Sequence, residues 1–355
     1  VDIPNDVLTK VHICHEGEYE SRIGFPLTPE EMTSIQWRPE CRHVVAFLGD
    51  VLDNRRRSED IFGVCAMTGT QTQMLDLLYQ LRIQALSQGG CVIFVLGNHD
   101  VANMTRDVDL GLLVDGCTNY APRVHSRIRS NGQQREYVTC QTDENNRAME
   151  QFSQEHVDHM LLKIRPMSPV AVARVNFSDA DPQSSVLLVH GGLDHRAFMP
   201  NVRPNEAEKN LQFINRVYTG ALFGQVAEAQ NMLRDIGPRA PTWCRPSFLG
   251  VTRGDQFLQS SPEELMTFFG APSMIKAHDV QSQQQIRCTS TQSRAYSRPD
   301  GWEGRGVPSS DDTVMSPGDL CFIDVGMSRA FGPSRRYQVL RLYMDQYGTL
   351  RRKVV

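Results

Sequence analysis

Asn98, His99 and Asp100 stand in immediate succession after Gly97, at the end of the apolar run Cys91–Leu96. An amide oxygen, an imidazole and a carboxylate set side by side can bind a divalent cation and can move protons. The same design recurs elsewhere in the chain. Asp50 follows Val44–Leu48 and Gly49, with Asp53 close behind it. His190 follows Val186–Val189 and precedes Gly191 and Gly192, and His278 sits at the tip of Met274–Asp279. One Asp, one Asn and two His make a mixed oxygen and nitrogen ligand set suited to Mn, Zn or Fe. Donors of that kind serve metal-assisted phosphate chemistry.

The segments that carry these residues are short apolar runs rich in β-branched side chains, which read as buried strands. A glycine at a strand end permits the tight turn, and open α/β sheets bind ligands beyond the carboxyl ends of their strands. Between Asp50 and Cys91, Met74, Leu77, Leu78, Leu81 and Leu86 recur close to helical spacing, so Gln71–Gln88 is predicted as a core-facing helix ended by Gly89 and Gly90. Strand, helix, strand in that order implies a parallel pair with a right-handed crossover. A second helix is predicted over Ala148–Ile164, with His156 and His159 on its surface. Pro169–Phe177 alternates as a strand and pairs with Val186–Val189 across Ser178–Ser185. Glu206–Leu233 is helical with breaks at Gly220 and Gly224, and Ile236-Gly237-Pro238 ends it. Leu320–Val325 and Tyr337–Met344 are two closing strands, followed by a solvated tail at Arg351–Lys353. The polar stretches Ser126–Asn146 and Gln281–Asp312 read as an exposed insertion and a long loop.

Taken in order, G-D-x-x-D at Gly49–Asp53, Gly97–Asp100, His190–Gly192 and Ala277-His278 resemble the motifs of the calcineurin-like metallophosphoesterases, in particular the phosphoprotein-phosphatase branch. Pro241–Arg245 resembles that branch's W-x-R segment. Phe322–Phe331 resembles the closing strand of the Shewanella-like phosphatases and of relatives in large DNA viruses. The matches run from about residue 10 to residue 345. The resemblance implies one α/β domain over residues 1–355, a four-layer α-β-β-α sandwich of two mixed sheets, with an insertion or cap at about residues 101–182. It also implies phosphomonoester hydrolysis by a metal-bound water, most simply on a phosphorylated Ser/Thr protein or a small phosphomonoester. Asp50, Asn98, His190 and His278 would hold one metal, and Asp50 would bridge to a second. His99 would protonate the leaving oxygen while Asp53 holds its imidazole, and Arg245 and Arg55 would bind phosphate.

The chain departs from the family at its first motif. The family has D-x-H-G after the first strand, whereas Lys10–Cys14 is followed here by His15-Glu16-Gly17. Aligned on the glycine, Cys14 replaces Asp and Glu16 replaces His. A thiolate and a carboxylate can still bind Zn, giving two metals per site; a degenerate motif leaves one. His15 serves instead if the register slips by one residue. Two other readings therefore stay open. One is a degenerate enzyme acting as a scaffold, binding protein or virion component; the other is a nucleotide or cyclic-phosphodiester hydrolase with the same core chemistry.

Composition narrows the setting. The chain has 355 residues, is 40% hydrophobic and carries a net charge of −4, enough for a large core and without a basic nucleic-acid surface. No apolar run approaches the roughly 18–20 residues that span a bilayer, so no membrane partner is expected. Nine cysteines, odd in number and without C-x-x-C spacing, fit a reducing, intracellular compartment better than a disulfide framework. The chain begins at Val1 rather than Met, so residues upstream are expected.

Overall fold

The computed structural model describes residues 29–51, 68–105, 123–128, 134–139, 158, 161–224, 226–244, 260–278, 286–289, 312–323 and 340–354. Helices and mixed sheets alternate along it, an α/β arrangement, in two compact units. The first unit holds residues 1–94, 98–169 and 328–333; the second holds 95–97, 170–327 and 334–355.

In the first unit α1 (Pro29–Ser34) leads to β1 (Val44–Leu48), α2 (Thr68–Ser87), β2 (Cys91–Val95) and α3 (Asn98–Thr105). β1 and β2 form a two-stranded sheet. Their starts meet where Cys91 N donates to the His43 carbonyl at 3.1 Å, and their ends meet at Asp50 and Asp100, so the strands run in the same direction. α2 covers them with Leu75, Leu78, Leu81 and Ala85, all buried, and Ile35, Trp37 and Val92 join Leu81 and Ala85 in one cluster. This stripe lies one step round the helix from the predicted one. Leu86, expected in the core, is 52% exposed in the last turn of the helix, past Ala85, the last buried position. Gly89 N bonds to the Leu86 carbonyl and Gly90 N to the Ala85 carbonyl, with Gly89 at φ 76°, the left-handed cap a glycine provides without strain. Within the predicted polar insertion, β3 (Arg123–Ile128) and β4 (Gln134–Thr139) pair as an antiparallel hairpin, and Asn131-Gly132 falls in their connection. The end of the predicted Ala148–Ile164 helix is present at residues 161–164.

The second unit is built on a five-stranded mixed sheet in the order β5 (Val172–Asn176), β6 (Ser185–Val189), β7 (Ser273–Lys276), β10 (Leu320–Phe322), β8 (Arg287–Thr289). β6, β7 and β10 run parallel, and β5 and β8 flank them antiparallel. β6 and β7 are buried along their whole length, with Ser185, Ser273 and Lys276 among the apolar residues. α4 (Ala207–Thr219) and α5 (Ala227–Ile236) are separated by a π-helical turn at Gly220–Gly224, the site of the predicted breaks. α6 (Pro262–Phe269) begins with a full capping box between Ser261 and Glu264. Two segments differ from the sequence reading. β8 lies inside the predicted Gln281–Asp312 loop, because buried Ile286 and Cys288 give that short piece an apolar side to add to β10. The expected tail is β12 (Leu350–Val354), which pairs with β11 (Leu340–Met344) and with β9 (Thr313–Val314). Cys288 and Cys321, opposed across β8 and β10, are joined by a disulfide, where the scattered cysteines suggested free thiols. Among the described residues Cys41, Cys91 and Cys244 are free, and no described helix is long and apolar enough to cross a membrane.

Candidate metal and phosphate site

In the first unit the candidate residues cluster where β1 and β2 end. Asp50 lies just past β1 with φ 53°, the left-handed conformation that costs a non-glycine residue on the order of 1 kcal/mol. Its backbone is held there from the neighbouring strand end: Asp50 N donates to Asp100 Oδ2 at 2.9 Å. The carboxylate is tied down in return, since His99 N donates to Asp50 Oδ1 at 3.2 Å. Asn98 and Asp100 are fully buried and His99 is half-buried. Asn98 to Asp100 also open α3, so the Asp100 carboxylate sits where free backbone N–H groups favour negative charge. Sequence reading placed Asp100 beside the site without a role. Its role here is to brace Asp50, and the signal was its place three residues after Gly97 at the start of a helix.

In the second unit His190 follows β6 and His278 follows β7, and these strands are parallel neighbours. Strand register therefore delivers both imidazoles to one edge of the sheet. His190 Nε2 and His278 Nδ1 lie 3.1 Å apart, both side chains buried and their rings edge to face. His278 has φ 65°, again left-handed, and Ala277 N bonds to the His190 carbonyl at 3.0 Å to hold the turn. The loop carrying Trp243 packs against this pair. Trp243 lies 4.8 Å from the His278 ring, and both Gly191 N and Gly192 N donate to the Pro241 carbonyl, at 2.7 and 3.3 Å. Gly191 is required by that approach, since a Cβ there would meet Cys244 N at 2.7 Å and the Pro241 oxygen at 2.8 Å. Lys276, buried on β7, points its Nζ at the Cys244 carbonyl, 3.4 Å away.

Next to this edge lies a second polar group that the sequence did not single out. Asp194 is buried; it accepts a hydrogen bond from Arg196 Nε at 2.8 Å and forms an ion pair, without a hydrogen bond, with Arg239 Nε at 3.2 Å. His195 stacks on Phe268 and bonds through Nδ1 to Ser260 Oγ at 2.9 Å. Burial holds its pKa below the ordinary value of 6.5, against the pull of Glu264 and Asp194.

Of the residues singled out from sequence, Asp50, Asn98, His99, His190 and His278 are described, each beyond the end of a strand. Cys14, Glu16, Asp53, Arg55 and Arg245 lie outside the described residues. Among the described residues of the second unit, His190 and His278 bring together two imidazole nitrogens that could serve as metal ligands. A pair of converging imidazoles suits a divalent transition metal.

Neither a family model nor a curated protein sequence matches the chain. Solved structures do match. A cold-active protein-tyrosine phosphatase of a psychrophilic Shewanella species is 13% identical with a TM-score of 0.45, the match covering 98% of this chain and 76% of that one. A cold-active protein tyrosine phosphatase solved at 1.1 Å is 14% identical with a TM-score of 0.48, covering 98% and 74%. The chain is similar in structure to these phosphatases at low sequence identity.

Proposed function

We propose that this chain is a metal-dependent phosphomonoester hydrolase of the phosphoprotein-phosphatase kind, folded as one four-layer α-β-β-α domain with about residues 101–182 as a cap. The observation that carries the reading is the pair of buried imidazoles, His190 Nε2 and His278 Nδ1, converging at 3.1 Å at the ends of adjacent parallel strands. The family resemblance would add Asp50 and Asn98 to the ligands, for Mn, Zn or Fe. Cys14 and Glu16 would hold a second ion together with Asp50. Bound there, a divalent cation supplies charge against phosphate oxygens and lowers the pKa of a water. The chain's own groups do the rest. His99 protonates the leaving oxygen, and Asp53 orients and charges its ring. Arg245 and Arg55 grip the phosphate with planar forks that match two oxygens at once. Substrates are phosphorylated proteins, on Ser or Thr, or small phosphomonoesters.

A second reading is favoured by one observation, the replacement of the first motif's Asp and His by Cys14 and Glu16. It makes the protein a scaffold or binding partner with the fold kept and turnover lost. One experiment separates the two: metal per chain by elemental analysis, beside turnover of p-nitrophenyl phosphate and of phosphoserine and phosphotyrosine peptides. The enzyme reading expects two metals and turnover, with one metal lost in Cys14→Ala or Glu16→Ala. A single metal, no turnover and alanine variants identical to wild type overturn it in favour of the scaffold. In that case Cys14→Asp with Glu16→His restores a second metal.

A further inference from the structure

Arg196 and Arg239 lie 43 residues apart in sequence yet share one carboxylate, that of Asp194, whose side chain is only 4% exposed. Asp194 belongs to the loop that leaves β6 through His190, Gly191 and Gly192. Arg239 belongs to the turn after α5 that runs on to Pro241, Trp243 and Cys244. The same two loops are joined by the bonds from Gly191 N and Gly192 N to the Pro241 oxygen. Trp243, on the second loop, lies against the ring of His278. Asp194 Oδ1 accepts from both the backbone N and Nε of Arg196, so the carboxylate cannot swing away from its own loop. A buried anion fixed at one end and ion-paired to the facing loop at the other is a clamp between them.

We propose that Asp194 is a positioning residue for the candidate metal site: through Arg239 it locks the Pro241–Cys244 segment against the β6 loop and thereby fixes Trp243 on His278. The inference rests on the reading of His278 as a metal ligand. A ligand ring that is packed on one face and held at a set angle loses little freedom when it binds. Releasing the clamp lets ring and tryptophan move, and metal affinity falls although no ligand has been touched. Residues that orient metal ligands typically account for about 10–100-fold in affinity.

The test follows Trp243 fluorescence, taken as the difference between each protein and its Trp243→Phe counterpart, during titration with Mn²⁺ alone and with acrylamide alone. Mn²⁺ bound beside His278 quenches the indole. In Asp194→Asn the Mn²⁺ midpoint should rise about tenfold or more, while the far-ultraviolet circular dichroism stays that of wild type. Acrylamide should reach Trp243 more readily in the metal-free variant, which examines the clamp without any metal. Arg239→Gln, at a half-exposed position, should move both readouts the same way, and Arg239→Lys should recover part of the loss. With p-nitrophenyl phosphate, turnover should fall at limiting Mn²⁺ and recover at saturating Mn²⁺. Should Asp194→Asn fail to fold, Arg239→Gln decides alone. Wild-type Mn²⁺ and acrylamide curves in the folded variants overturn the clamp and leave the phosphatase reading standing. Absence of Mn²⁺ quenching and of bound metal in wild type overturns that reading and the proposal with it, even with acrylamide access changed.

Discussion

Each candidate ligand owes its place to a local feature of the backbone. Asp50 and His278 both adopt positive φ directly after a strand, a conformation that Asp and His tolerate better than most residues but that still requires outside support. Asp100 supplies it for Asp50, and the Ala277 N bond to the His190 carbonyl supplies it for His278. Removing a ligand therefore leaves these supports largely intact. His190→Ala and Asp50→Asn are expected to lose bound metal and hydrolysis while keeping a wild-type circular dichroism spectrum, with elemental analysis as the check. Unchanged metal in both variants places the site elsewhere. His99 answers to a different measurement. Under the proposed mechanism it would donate a proton to the leaving oxygen, a step worth about 10²–10⁴-fold, chiefly where the leaving group is a poor one. His99→Asn should keep the metal and slow an alkyl phosphate far more than an aryl phosphate. Equal losses on the two substrates remove it from that role.

At the scale of elements, parallel pairing of β6 with β7 brings His190 and His278 to one edge, and the Trp243 loop then closes over them. The contact is too close for any side chain at position 191. In Gly191→Ala the new methyl meets backbone atoms of Cys244, Pro241 and Trp243 at 2.7–2.8 Å, and backbone has no rotamer with which to yield. Overpacking of this kind costs about 1–3 kcal/mol, to be read from the urea midpoint, and Trp243 should shift its emission in the same variant. α6 offers a contrasting case remote from the chemistry. Ser261 Oγ accepts from Glu264 N while the Glu264 carboxylate accepts from Ser261 N. Ser261→Ala should destabilise the protein by about 1 kcal/mol without affecting metal content.

For the whole molecule, pH enters through His195. Its ring lies between Phe268 and Ser260, facing Glu264 and Asp194 as favourable charges and Arg196 and Arg239 as unfavourable ones, and burial lowers its pKa. Because the unfolded chain takes up the proton first, stability is full above the ordinary value of 6.5 and falls as pH drops from there towards the lowered folded value. Below that value no more is lost. Denaturant unfolding of wild type and His195→Asn across this range should show a steeper acid slope for wild type. Parallel curves exclude His195 as the group responsible.

Strands β1, β2, β6 and β10, the long α2 helix and the order of the motifs were legible in the sequence, because a buried strand favours an apolar run and a helix demands its own period. Asp50, Asn98, His99, His190 and His278 could be named for the same reason, each marked by an apolar run or an adjacent glycine. What the sequence did not show depends on partners far along the chain. Nothing local distinguishes Leu86 from Leu81, since only the extent of the underlying strands decides which turn of α2 is wet. Arg351–Lys353 looked like a tail because their charge is compatible with solvent. They form a strand because β11 and β9 offer backbone partners on either side. β8 lay hidden in a polar stretch, and β10 supplies the ladder it needs. The Asp194 clamp was invisible for the plainest physical cause. A carboxylate flanked by a histidine and an arginine reads as surface until the fold brings a second guanidinium from the far end of two helices and closes water out.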